Sequence, residues 1–208
     1  RLEQNPSKKE SNGLIPYFSR LTSAETGIFH IWEEGDLKQL PLSQCRVQAA
    51  DPLSEGPAEL LPEIVCTGLT HEEARREAGL SGIEAYVSRM ADPHMTTPPL
   101  HRGPGSPAQQ QFDFVGVGAG ETVAEAVCRG LQKCLAEELG RRMEARKPSV
   151  FRVWLSTVED ERCRYYLQAL TTMQGAPEIG LGEEVSGFPV VWVGTNGCWY
   201  GGVDLNRT

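Results

Sequence analysis

At 208 residues the chain can bury one sizeable core or two small ones, and its 39% apolar and 23% charged residues are ordinary for a globular protein. A formal charge of −8 excludes nucleic-acid binding driven by phosphate neutralisation. No run approaches the ~18 apolar residues of a membrane helix, so a spanning segment is not expected.

Six cysteines (Cys45, Cys66, Cys128, Cys134, Cys163 and Cys198) form no C-x-x-C pair, which argues against a zinc knuckle. Reduced, mostly buried thiols in a cytoplasmic protein are expected. Residues 1–13 are polar, without a starting Met, and read as a flexible lead-in to a fragment or domain. Strand propensity marks 27–33, 44–49 and 63–68, with turns at Glu34-Gly35-Asp36 and a proline-rich loop over 51–62. The spacing then predicts a helix over 72–90.

Residues 91–111 hold five prolines and no apolar period, which predicts a long mobile loop. A strand is expected over 112–117 and a helix over 123–145. Beyond them come a strand at 150–156, a helix at 159–173 and a glycine-rich loop at 174–184. The final hairpin places strands at 188–193 and 198–203 around Asn196-Gly197, a strong two-residue turn. Strands alternating with helices, plus hairpins, give an α/β (α+β) fold with helices packed on a mixed sheet.

One segment occurs twice. Thr67-Gly68-Leu69-Thr70-His71-Glu72-Glu73-Ala74 and Ala119-Gly120-Glu121-Thr122-Val123-Ala124-Glu125-Ala126 share Gly, Thr, Glu and Ala at a constant separation of 52 residues. Thr70 with Glu73, and Thr122 with Glu125, fit the capping box. The Thr oxygen takes an orphan N–H of the first turn and the Glu reaches back to the Thr N–H. Each unit thus reads as strand, glycine turn and capped helix.

On the second helix Val123, Val127, Gly130, Leu131, Cys134, Leu135 and Leu139 form an apolar stripe expected to face the sheet. Gly116-Val117-Gly118-Ala119-Gly120 has the context of an anion-binding turn, yet Glu121 beside it repels phosphate and no Walker sequence follows.

Other candidates weigh toward structure. His94 and His101 lack partners for a metal site, and His30 reads as a satisfied structural histidine. Asp113, Glu159-Asp160-Glu161 and Glu183-Glu184 read as solvated charges. Trp154, Trp192, Trp199 and Tyr200 read as core aromatics, but Trp199 and Tyr200 beside the hairpin turn also suit an extended peptide added as a strand.

The repeated Gly, Thr and Glu-Ala positions resemble the YcaO family. Ser19-Arg20-Leu21-Thr22-Ser23-Ala24-Glu25-Thr26-Gly27 is similar to the start of that domain, and Gly187-Phe188-Pro189-Val190-Val191 resembles the strand that opens its third unit. Gly202-Val203-Asp204-Leu205 then leads toward a third helix, so 14–208 reads as a single YcaO-like domain truncated at its C-terminal end.

The resemblance implies ATP- and magnesium-dependent closure of Cys, Ser or Thr onto a peptide amide. It also implies glutamates seven and ten residues after the shared alanine. Those positions are Ser81 and Glu84 in the first helix, and Lys133 and Ala136 in the second. One of four carboxylates remains.

The expectation is therefore a non-catalytic YcaO-like module in the maturation of an azole-containing, bacteriocin-like peptide. It would bind the precursor peptide or another protein of the maturation cluster, without a cofactor of its own. The first alternative is an ATP/Mg-dependent cyclodehydratase with shifted ligands Glu77, Glu84, Glu137 and Glu138, whose side chains must then converge. The second is a purely structural domain.

Overall fold

Two antiparallel sheets, each backed by one long helix, organise the chain. The computed structural model describes residues 13–56, 59–91, 114–146, 148–154, 158–203 and 205. The first half runs α1 (Leu14–Leu21), β1 (Phe29–Glu33), β2 (Ser43–Ala49), β3 (Ile64–Gly68) and α2 (His71–Met90). The second half runs α3 (Val123–Ala145), β4 (Phe151–Val153), α4 (Glu161–Gln174), β5 (Glu178–Val185), β6 (Phe188–Thr195) and β7 (Cys198–Val203).

The strand orders are β1-β2-β3 and β4-β5-β6-β7, with antiparallel pairing throughout both sheets. This corrects the single mixed sheet expected from the sequence. A parallel neighbour needs a crossover into a paired strand. The segment before α3, expected as that strand, pairs with nothing among the described residues: 112 and 113 lie outside them, and 114–117 form no strand. The long loop expected over 91–111 and the lead-in at 1–13 also fall almost wholly outside the described residues.

The first core sits between α2, α1 and sheet one. β2 alternates, sending Cys45, Val47 and Ala49 inward. The buried face of α2 is built from small residues, Ala74, Ala78, Gly79 and Gly82, with Leu80 and Glu84. Phe18 of α1 lies over Gly79, while Phe29 and Val47 lie over Gly82, so a Cβ at either glycine would collide with them. This close approach lets the aromatic side chains fill the layer, each worth about 1.5–3 kcal/mol on burial. It also explains why α2 looks only weakly amphipathic in sequence. α1 is not among the elements expected from the sequence, although Leu14, Ile15, Phe18 and Leu21 follow a helical period and all join this core.

The second core gathers Leu135 and Leu139 of α3 with Val185, Val190 and Trp192. β5 replaces most of the glycine-rich loop expected at 174–184. Its glycines are spaces for neighbours: the Cβ position of Gly180 is taken by Val150, and that of Gly182 by the Trp192 indole. Asn196 (φ 50°) and Gly197 (φ 79°) carry the left-handed conformations that a two-residue β6–β7 hairpin requires.

The apolar stripe expected on α3 splits. Gly130, Leu135 and Leu139 are buried, whereas Val123, Val127, Leu131 and Cys134 are not. Trp192 is core, but Trp154 is almost wholly exposed and Tyr200 is also exposed, against the expectation of an aromatic core set. The thiols differ from expectation too: Cys45 is buried and Cys66 half-buried, while the other four are exposed, and all six are free. Among the described residues no helix is long and apolar enough to cross a membrane.

Candidate functional site

The two capped helices begin in the same way. Thr70 Oγ1 accepts from Glu73 N at 3.1 Å and Thr122 Oγ1 from Glu125 N at 3.1 Å. The returning carboxylates reach one residue further back than a simple capping box: Glu73 accepts from Leu69 N and Glu125 from Glu121 N, both at 3.0 Å. Each start is fixed by a glycine held against the first turn, Gly68 against Glu73 and Ala74, Gly120 against Glu125 and Ala126.

A third capped helix start lies outside the repeat. Asp160, expected to be solvated, is the N-cap of α4 and accepts from Cys163 N. α4 then ties back to the first half, through Arg162 on Glu73 at 2.8 Å and Tyr165 Oη on Pro41 O at 2.8 Å.

Between α2 and α3 lies a layer of charge. Glu84, one turn past the middle of α2, is 1% exposed. Arg129 Nε donates to its Oε1 at 2.6 Å, and Lys133 Nζ lies 2.7 Å from its Oε2. The N–H of Ala119 donates to the same Oε1 at 2.9 Å. Arg129 Nη1 also donates to Glu77 at 2.7 Å, and Arg76 bridges Glu77 at 3.3 Å to Glu125 at 2.5 Å.

Burial pushes the Glu84 carboxyl up, but Arg129, Lys133 and the Ala119 N–H outweigh it and hold it below the ordinary carboxylate range. Burial alone would lower Arg129, and its two carboxylate partners raise it above its ordinary value instead. Glu125 is likewise pushed up by burial but held below the ordinary range by Arg76 and the Glu121 N–H. The anion at the glycine turn before α3 is thus the protein's own carboxylate.

Glu77 and Glu84 therefore converge, while Glu137 and Glu138 do not join them. Those two pair along their own helix, Glu138 with Arg142 at 2.9 Å and Glu137 with Arg141 at 3.9 Å. Ser81, at the other ligand position of α2, is near Cys66 Sγ at 3.5 Å.

Sequence reasoning singled out Lys133 as a misplaced cation but missed Arg129 and Arg76. The signal was present: Arg129 lies 52 residues after Glu77, so the repeat places opposite charges at equivalent positions. Elsewhere, His30 Nδ1 lies 3.2 Å from Ala24 O. Glu183 pairs with Arg146, and the Glu184 carbonyl accepts from Arg142. His94, His101 and Asp113 lie outside the described residues. Trp199 packs over Gly194 with Arg152 above its ring, and Tyr200 projects from the opposite face of β7, an edge strand.

No family model matches the chain, and no curated protein does. Among solved structures, YcaO from Methanopyrus kandleri, bound with AMPPCP and Mg2+, superposes with a TM-score of 0.50 at 16% identity over 77% of this chain. The fold is YcaO-like. The chain spans 53% of that protein's length, about half.

A nucleotide-bound magnesium ion needs oxygen donors with free lone pairs and negative charge. In this YcaO-like domain the converging carboxylates are already committed to Arg129, Lys133 and a backbone N–H. The two cations balance the two carboxylates Glu77 and Glu84, so the cluster offers a divalent ion no net negative charge. The residues between the helices do not fit the ion.

Proposed function

We propose that this YcaO-like domain is a non-catalytic module in the maturation of an azole-containing, bacteriocin-like peptide. On this reading it works in the cytoplasm, holding the precursor peptide or a partner enzyme, with no cofactor of its own. The single observation that carries the reading is the Glu77–Arg129–Glu84–Lys133 cluster, in which two of the chain's own cations occupy the space between the paired helices. A cluster of this kind cross-links α2 to α3 and keeps the scaffold in one geometry.

The second reading, an ATP-dependent cyclodehydratase, draws on the convergence of Glu77 and Glu84. It requires Arg129 and Lys133 to leave two strong, largely desolvated ion pairs before any metal enters. It also lacks the support of Glu137 and Glu138, which point elsewhere. Isothermal titration of the full chain with ATP in the presence of Mg2+ separates the two. No saturable heat is expected, and saturation in the micromolar range refutes the non-catalytic reading.

A further inference from the structure

Two of the six thiols face each other across a strand pair. β2 and β3 run antiparallel, and Cys45 and Cys66 stand directly opposite in their register. Cross-strand partners project on the same side of a sheet. Here that side is the one α2 covers: Cys45 is 0% exposed in the first core, and Cys66 Sγ lies 3.5 Å from Ser81 Oγ of α2. Directly opposed residues of an antiparallel pair have Cα atoms about 4.5–5.5 Å apart, whichever hydrogen-bonding class the pair belongs to. A disulfide spans Cα separations of about 4.4–6.8 Å. The pairing thus brings the two sulfurs within reach of one S–S bond, and both thiols are free.

The other cysteines lack this placement. Cys128 and Cys134 are six residues apart on α3, a rise of about 9 Å, beyond the span of a disulfide. Cys163 belongs to α4, and Cys198 stands opposite Thr195.

The surroundings suit an oxidised pair as well as a reduced one. Cys45 Sγ lies 3.6 Å from Arg46 O, a weak sulfur contact like that of Cys66 with Ser81, so a disulfide forfeits little hydrogen bonding. Burial outweighs Arg75 and pushes the Cys45 thiol up to about 12, and it outweighs Ser81 in raising Cys66. A dithiol whose reduced form gains nothing from thiolate formation holds its disulfide more firmly. Access is unequal. β2 is the middle strand of its sheet and Cys45 is sealed, whereas β3 is an edge and Cys66 is only half-buried.

We infer that Cys45 and Cys66 form a reversible cross-strand thiol pair, a modification site whose oxidant is a small hydroperoxide. The hydroperoxide transfers one oxygen to Cys66 Sγ, giving a sulfenic acid and releasing an alcohol, or water where the oxidant is hydrogen peroxide. Cys45 Sγ then attacks Cys66 Sγ; the S–O bond breaks, and the hydroxyl leaves with the Cys45 proton as water. Two electrons pass from the two thiols to the peroxide bond, and a thiol reductant returns them. The bond ties β2 to β3 and draws Cys66 off Ser81, which sits one turn from both Glu77 and Glu84 on α2. In a reducing compartment such a bond is transient. The inference is independent of the reading as a peptide-binding module.

The test oxidises the folded 208-residue chain with a few equivalents of hydrogen peroxide, removes the peroxide, unfolds the chain in urea with iodoacetamide present, and maps tryptic peptides without reduction. Cleavage after Lys38, Arg46 and Arg75 puts Cys45 in 39–46 and Cys66 in 47–75. The bond is read as these two peptides joined and lighter by two hydrogens. Most of the chain should carry it, with an unchanged far-ultraviolet circular dichroism spectrum, and dithiothreitol should remove it. Cys66→Ser should abolish the link and leave Cys45 alkylated. Cys45→Ser should leave a Cys66 sulfenic acid that dimedone traps; because Cys45 is fully buried and that variant can fail to fold, the wild-type map and Cys66→Ser decide without it. No joined peptide, a joined peptide only when the peroxide step is run in urea, Cys66 over-oxidised while Cys45 is alkylated, or Cys45 bridged equally to an exposed cysteine would overturn the inference.

Discussion

Removing the Arg129 guanidinium should unmask the cost of the buried carboxylate beneath it. In Arg129→Ala the Glu84 side chain, 2% exposed, loses its bonds at 2.6 and 3.3 Å, and Glu77 loses one at 2.7 Å. Stranding one partner of a buried pair costs about 3–5 kcal/mol in general. Here Lys133 and the Ala119 N–H remain on Glu84, and Glu77 can turn to water, so about 2–3 kcal/mol is expected. For a chain of this size that corresponds to a melting point lower by roughly 5–10 °C. Urea denaturation followed by far-ultraviolet circular dichroism measures it. The companion variant Arg129→Met with Glu84→Met removes both charges and keeps the volume, so most of the loss should return. If Arg129→Ala lies within about 0.5 kcal/mol of wild type, or the double variant is no more stable than the single one, the charge layer does not hold the helices together.

Thr70→Ala and Thr122→Ala should each cost about 1 kcal/mol in the same assay, and the two should add, since each frees a different helix start. Gly79→Ala drives a methyl into the Phe18 ring and should destabilise by about 1–3 kcal/mol, with α1 the first element to lose amide protection. Stability should also fall in acid. Glu73 is held low first by Arg162, and Glu84 and Glu125 by cations that outweigh burial, so all three folded values are depressed. Their contribution is present above the unfolded value of about 4.3 and is lost as pH falls through the folded ones. Urea midpoints between pH 6 and 2.5 on the ~4.3 scale of free carboxyls should therefore slope steeply in wild type and less so in the Arg129→Met, Glu84→Met variant.

Most of this architecture is legible in the chain because it is written locally. Thr70 and Thr122 mark helix starts by their own hydrogen bonds, and Asn196-Gly197 marks a hairpin by its backbone preference. What the sequence conceals depends on distant partners. β5 reads as loop because Gly180 and Gly182 look like breakers, yet Val150 and Trp192 fill the spaces they leave. α1 is short, and its period registers only once Phe18 has Gly79 to pack on. The apolar stripe of α3 predicts burial for seven residues, but the helix meets sheet two with only its later turns. At the candidate site, the missing carboxylates at Ser81, Lys133 and Ala136 can be counted in one dimension. That Arg129 would reach Glu77 and Glu84 across the helix pair is a three-dimensional fact, hinted at only by the 52-residue repeat.

The central claim is that Glu84 is an ion-paired structural carboxylate rather than a metal ligand. Carbon-13 labelling of the glutamate side chains, with a pH titration read by NMR in the presence and absence of Mg2+, tests it at the atom concerned. The account predicts a Glu84 signal that titrates below the ordinary carboxylate range and does not move with Mg2+. A Glu84 that titrates at or above that range, or shifts on adding millimolar Mg2+, would contradict it.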